Sequence, residues 1–172
     1  MKKLFGILVI ALAINIGVNG QNFRTVKIGN AVWMADNLNR VVPDSWYYND
    51  SKDLGQIYGR LYTWEAAKKA CPTGWHLPTD KEWQALIDVT GGEDAAAKVL
   101  KAGGRSGFNA QLGGMSDIGN FRLINTYGTY WTASEYDSDH AWYVYMTANA
   151  PSVTKTYIKK AYAFSVRCVK DK

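Results

Sequence analysis

The apolar residues of this chain change their period once, and that change decides the fold class. In "YGRLYTWEAAKKA" (58–70), Leu61, Trp64 and Ala67, followed by Cys71, fall three or four positions apart. That spacing predicts a helix, closed by Pro72 and Gly74. Thr79 followed by Glu82 matches a capping box, and Trp83, Leu86 and Ile87 supply the apolar face of a second helix that Gly91-Gly92 stops. A short third helix is predicted over Asp94 to Lys101, ahead of Gly103-Gly104. From Arg105 onward the period is two. Strands are predicted at Tyr130–Ala133, Ala141–Met146, Thr154–Lys159 and Ala163–Val169, with Tyr143, Tyr145, Tyr157, Phe164, Val166 and Cys168 alternating. Before the helices, "TVKIGNAVWMADNL" (25–38) reads as a β-hairpin about Gly29-Asn30, and the polar stretch 39–57 reads as a loop. Helices clustered ahead of a run of strands indicate an α+β domain.

The first twenty residues stand apart. Lys2 and Lys3, an apolar run from Leu4 to Val18 and a small-residue exit describe a secretory signal peptide, 1–20, too short and too polar at Asn15 to span a bilayer. The remaining 152 residues, 21–172, suffice for one domain with a sizeable core. Loss of the two lysines lowers the formal charge from +5 to +3, with basic residues scattered rather than striped. Nucleic acid is not the expected partner, and no membrane span is expected after cleavage. The protein is expected to be exported: secreted, periplasmic or held at the cell surface.

"CPTGWHLPTDKEW" (71–83) concentrates the reactive side chains. Cys71 and Cys168 are the only cysteines, and in an exported chain one disulfide is the leading use for them, against a metal or a nucleophile. Cys71-x4-His76 is poor zinc spacing, so His76 reads as an ordered turn residue. His140, with Glu135, Asp137 and Asp139, reads as a solvated hairpin turn rather than a calcium loop. No nucleophile elbow or phosphate loop occurs, so no catalytic residue, metal ligand or cofactor is assigned.

Aromatics are the remaining signal: seven Trp and eleven Tyr. Trp33, Trp64, Trp75, Trp83 and Trp131 read as core. Trp46, Tyr47, Tyr48, Tyr127, Tyr130 and Tyr136 lie among Gly, Asn, Asp and Ser, and are the candidate binding residues. Amphipathic rings in such segments can stack on sugars or anchor a protein partner.

The stretches "VKIGNAVWMADNL", "YGRLYTW", "CPTGWHLPTDKEW", "GFNAQLGG", "YWTASE" and "FSVRCVKD" together resemble the Fibrobacter succinogenes major paralogous domain family, in order and over nearly all of residues 21–172. The resemblance implies an exported protein of the Bacteroidetes or Fibrobacteres and a C-type-lectin-like fold, shared with the formylglycine-generating enzyme. It also implies a disulfide from the first helix, at Cys71, to the last strand, at Cys168. That enzyme's "RLPTEAEW" and "GFRC" resemble "LPTDKEW" and "SVRCV" here, which are scaffold pieces. Its catalytic cysteine pair is missing, as are the Glu-Pro-Asn and Trp-Asn-Asp signatures of calcium-dependent sugar binding. Where many family members carry two further cysteines, this chain has Tyr47 and Gly55, which implies a looser loop.

The expectation is a non-catalytic binding module for an extracellular glycan or a surface protein. The alternatives are a structural or adhesin subunit of a surface assembly and a polysaccharide-active enzyme. A fold-specific metal would stabilise by about 2.7 kcal/mol at a hundred times its dissociation constant. Differential scanning calorimetry should therefore give one melting temperature in excess calcium and in excess chelator. A rise of several degrees in calcium, abolished by Asp137→Asn with Asp139→Asn, would establish a metal site.

Overall fold

The computed structural model describes residues 23–172, so the signal-peptide segment lies outside the described residues. The opening hairpin forms as the sequence predicts: β1 (Thr25–Ile28) pairs antiparallel with β2 (Ala31–Met34), Val26 opposite Trp33. Gly29, at φ +58°, takes the left-handed turn position that glycine tolerates.

Residues 39–57 hold more than a loop. After β3 (Ser45–Trp46) and a short 3-10 turn comes α1 (Lys52–Tyr58), capped by the Ser51 hydroxyl, which accepts from the Leu54 amide. Gly55 weakens the helical signal locally, but a Cβ there would collide with the Tyr47 ring. Close packing, not flexibility, explains that glycine. The helix expected over 58–71 is shorter than its spacing suggests. Gly59 (φ +74°) ends α1, and β4 (Leu61–Tyr62) then pairs with β3. Thr63 caps α2 (Trp64–Ala70), accepting from the Ala66 amide. Leu61 is thus a strand residue, and Cys71 is the residue that closes α2.

After β5 (Trp75–His76), α3 (Asp80–Val89) opens with the expected capping box: Thr79 accepts from the Glu82 amide while the Glu82 carboxylate accepts from the Thr79 amide at 2.8 Å. α4 (Ala96–Leu100) follows. The glycine-rich stretch beyond it forms an unpredicted hairpin, β6 (Gly113–Asp117) with β7 (Asn120–Ile124). The remaining strands are β8 (Tyr127–Glu135), β9 (His140–Thr147), β10 (Val153–Lys159), β11 (Tyr162–Ala163) and β12 (Val169–Lys170).

One sheet has the order β10-β9-β8-β6-β11, with β7 paired to β6; another has β1-β2-β12-β5. The strand expected over 163–169 runs between them as a seam. The carbonyls of Phe164, Ser165, Val166 and Cys168 accept from the amides of Tyr62, Trp131, Leu38 and Met34. An α+β architecture results, mostly strand. Its core has two large parts and a small third around Tyr48, Leu61 and Ala163. Trp33, Trp83, Ile87, Leu100, Phe108 and Val144 pack α3 and α4 on one region of the sheets, while Tyr62, Trp64, Trp131, Phe164 and Val166 pack beneath α2. No helix among the described residues is long and apolar enough to cross a membrane.

Cys71 and Cys168 are bonded, with Cα atoms 6.0 Å apart, and close a loop of 97 residues between the end of α2 and the seam. In the chain-entropy picture a loop of that length stabilises by up to about 4.7 kcal/mol. Cys71→Ser should lower the unfolding free energy in urea by about 2–5 kcal/mol. Two free thiols in non-reducing peptide maps of the purified protein would contradict the pairing.

Candidate binding site

β8 and β9 stay in register from Tyr127↔Thr147 to Trp131↔Tyr143, then lose it until Glu135↔Ala141. The residues bulged out of β8 are anchored. The Thr132 hydroxyl donates to the Trp142 carbonyl (2.9 Å), the Ala133 amide to the Pro78 carbonyl (2.8 Å) and the Ser134 hydroxyl to the Asp80 carboxylate (2.7 Å). A bulge re-aims the strand beyond it. Here the "LPTD" end of the reactive stretch, at the first turn of α3, holds the bulge in place.

Beyond the bulge, Tyr136 stacks on Tyr157 of β10, with centroids 3.6 Å apart and planes 3° from parallel. Trp142, opposite Tyr157 in the β9–β10 ladder, meets both rings edge to face at 5.4 and 5.8 Å. His140 stands edge-on to Tyr157 at 5.9 Å. Tyr136 is 46% exposed and Tyr157 44%. The connecting turn is internally satisfied: the Asp137 carboxylate accepts from the amides of Asp139 and His140, each at 2.8 Å, and faces His140 Nδ1 at 2.8 Å. The hydrogen bond from His140, with help from the two amides, holds the Asp137 carboxyl below its usual pKa. Lys160 donates to Glu135 and to the Ser138 carbonyl. These carboxylates are committed to a turn.

Of the six aromatics chosen from sequence, only Tyr136 joins this stack. Trp46 is exposed on β3. Tyr47 is half-buried, with the Arg60 guanidinium 4.2 Å from its ring centroid. Tyr48 is buried against Phe121, at 5.3 Å. Tyr127 is half-buried on β8 beside Tyr145, at 5.7 Å. Tyr130 is wholly buried, its hydroxyl donating to the Gln111 carbonyl at 2.6 Å. Polar neighbours in sequence do not make Tyr48 and Tyr130 loop residues, because strand and turn geometry rotate them into the core. Trp142 and Tyr157 were missed by that choice, since only strand register brings them to Tyr136; the alternation through Tyr157 was the available signal.

Two of several concavities among the described residues bear on ligand binding. One, of about 340 Å³, adjoins the stack between His140, Tyr157 and the β6–β7 turn. The other, of about 360 Å³, lies between the β1–β2 hairpin and α3, walled by Ile28, Trp33, Leu86 and Val89.

A family model described as the Fibrobacter succinogenes major domain matches residues 26–170. The chain belongs to this family. No curated protein and no solved structure matches it. The Fibrobacter succinogenes major domain match spans every strand and helix described here except the first residue of β1, so the platform lies within the family domain.

In this Fibrobacter succinogenes major domain, His76 joins three segments rather than sitting in a simple turn. Its Nδ1 lies 2.6 Å from Asp171 and its Nε2 2.9 Å from Glu82, whose other oxygen caps α3. Both nitrogens face carboxylates, an arrangement only the doubly protonated ring satisfies. Burial alone would lower the His76 pKa, but hydrogen bonds and charge from Asp171 and Glu82 outweigh it and raise the value. Burial would likewise raise Glu82, and the Thr79 amide and His76 reverse that, holding it low.

The linkage follows from the signs. His76 contributes stability fully below about pH 6.5, and this is lost as pH rises through its raised folded value. Glu82 contributes above about pH 4.5, and this is lost as pH falls through its lowered value. His76 is 40% exposed in its side chain, so screening limits the pair to about 0.2–1 kcal/mol. Urea midpoints should fall from pH 5.5 to pH 8.5 in the wild type, and His76→Gln should flatten that fall. An unchanged slope in the variant would show that His76 does not carry it.

Proposed function

We propose that this domain is an exported, non-catalytic recognition module with a C-type-lectin-like fold, and that it binds an extracellular glycan on the Tyr136–Tyr157–Trp142 platform. The observation that carries the reading is the exposed stack itself. Two large rings lie parallel and stacked on each other, braced edge-on by Trp142, yet each keeps nearly half of its surface exposed. Aromatic faces held on strands offer apolar area at little entropic cost, and their hydroxyls suit a polyhydroxylated ligand.

The lectin-like assignment is supported by the disulfide from the end of α2 to the last segment, and by the pairing of β12 with β2, which joins the first hairpin to the last strand. A non-catalytic role is supported by the engagement of Glu82, Asp171, Asp137 and Glu135 in structural contacts. Export rests on the charged and apolar leader. A second reading, subunit of a surface assembly, is favoured by β10, which closes one edge of its sheet and offers backbone groups to a further strand.

A glycan array should identify ligands, and Tyr136→Ala or Trp142→Ala should weaken them about 2- to 10-fold, the range for losing one aromatic contact. Unchanged affinity in both variants, with folding intact by circular dichroism, would move the site elsewhere. Concentration-dependent assembly of the wild type without glycan binding would favour the subunit reading.

A further inference from the structure

The β6–β7 hairpin breaks a local rule at its tip. Asp117 pairs with Asn120, so Ile118 and Gly119 form a two-residue turn, at φ +45° and +87°. Turns with both central residues left-handed suit Asn-Gly, and a β-branched residue at the first position is sterically strained. Ile118 is also 79% exposed, so burial within this chain does not offset the strain. Such an outlier calls for something outside the chain.

Ile118 lines the cavity of about 340 Å³ that adjoins the aromatic stack. Tyr157, already stacked on Tyr136, forms another wall, and His140 and Lys159, a cross-strand pair of β9 and β10, bring polar groups to the same space. Asp137 engages His140 Nδ1 and orients the ring that lines this space. Among the described residues Lys159 has no ion-pair partner, whereas Asp117, the one carboxylate on the cavity, is paired with Arg122. The cavity therefore combines ring and aliphatic walls, an imidazole and a free cation. Its volume is at the small end of ligand sites, which run from about 300 to 1,000 Å³.

We propose that this cavity binds a single carboxylate-bearing sugar residue, a hexuronate of an acidic glycan whose chain continues across the Tyr136–Tyr157 stack. The proposal rests on the reading of that stack as a glycan platform. Lys159 meets the carboxylate, the His140 imidazole hydrogen-bonds a ring hydroxyl, and Tyr157 and Ile118 cover the apolar ring faces. Ile118 is retained in a strained turn because it makes this contact.

Isothermal titration of the mature protein with short oligogalacturonate, and with the neutral galactose oligomer of matched length, tests this directly. The acidic oligomer should bind about two- to fivefold tighter, the range for one exposed ion pair, and the preference should shrink in high salt. Lys159→Gln should remove the preference for the acidic oligomer. Ile118→Asn should raise the melting temperature by about 2–4 °C by relieving the turn, yet weaken both oligomers. Equal affinity for the two oligomers, or Ile118→Asn binding as tightly as wild type, overturns the inference. Equal affinity with both oligomers weakened by Tyr136→Ala would leave the platform reading standing alone. Binding of neither oligomer also overturns the inference, and the array then decides the platform independently.

Discussion

Arg167 is buried completely, and its guanidinium holds together three segments that are distant in sequence. It donates to the carbonyls of Met34 (3.0 Å), Phe108 and Asn109 (3.2 Å) and to the Asn37 side chain (2.7 Å), with the Phe108 ring centroid 4.4 Å from its carbon. Burial lowers its pKa, as desolvation of a cation must. No carboxylate among the described residues contacts it, so four oxygens and a ring face replace the solvation it lost, and its Nε remains without a partner. A lysine has no planar fork to reach these acceptors together. Around this residue the seam from Phe164 to Cys168 bonds in turn to Tyr62, Trp131, Leu38 and Met34, so the two sheets share one central segment. The disulfide closes the same segment against α2. Neither sheet reaches the other by strand pairing elsewhere among the described residues, so the backbone bonds of the seam are what join them.

The exposed aromatic stack depends on that interior through one chain of contacts. Trp131, buried on β8, donates its indole N–H to the Tyr62 carbonyl at 2.7 Å and lies 4.4 Å from Phe164 of the seam, which fixes β8 just before its bulge. The first turn of α3 fixes the bulge itself through Pro78 and Asp80. His76, Glu82 and Asp171 in turn tie that end of α3 to β5 and to the chain end. The reactive side chains of "CPTGWHLPTDKEW" are therefore a joint: disulfide, helix cap and bulge support lie within thirteen residues. Their chemistry is spent on position, and the surface they position is aromatic.

Features written in adjacent residues were legible in the sequence. Gly29-Asn30 between alternating strands, and Thr79 with Glu82 ahead of an apolar face, each specify a structure within one turn of chain. The disulfide was legible because two cysteines allow one pairing. Where the reading failed, long-range pairing overrode local pattern. Leu61 and Trp64 share helical spacing, yet Leu61 belongs to a strand because Gly59 and the Thr63 cap divide the stretch. The β6–β7 hairpin was hidden because Ile118-Gly119 is not a favoured turn pair. Tyr130 and Tyr136 have equally polar neighbours, and only the bulge between them sends one inward and the other outward.

The same reasoning separates two kinds of local rule-breaking in this fold. Buried departures, such as the unpartnered Nε1 atoms of Trp33 and Trp83, sit in a tightly packed ring cluster where Trp33, Trp83 and Phe108 lie 5.3–5.8 Å apart. Dispersion contacts and apolar burial within the chain offset them. Exposed departures have no such return: Ile118 and Leu123, both at positive φ and both solvent-facing, lie on one hairpin, and Ile118 borders the Tyr157 cavity. Interior strain is balanced by interior packing. At Ile118, beside the exposed aromatic stack, no packing among the described residues offsets the strain, and the ligand proposed above is what would balance it.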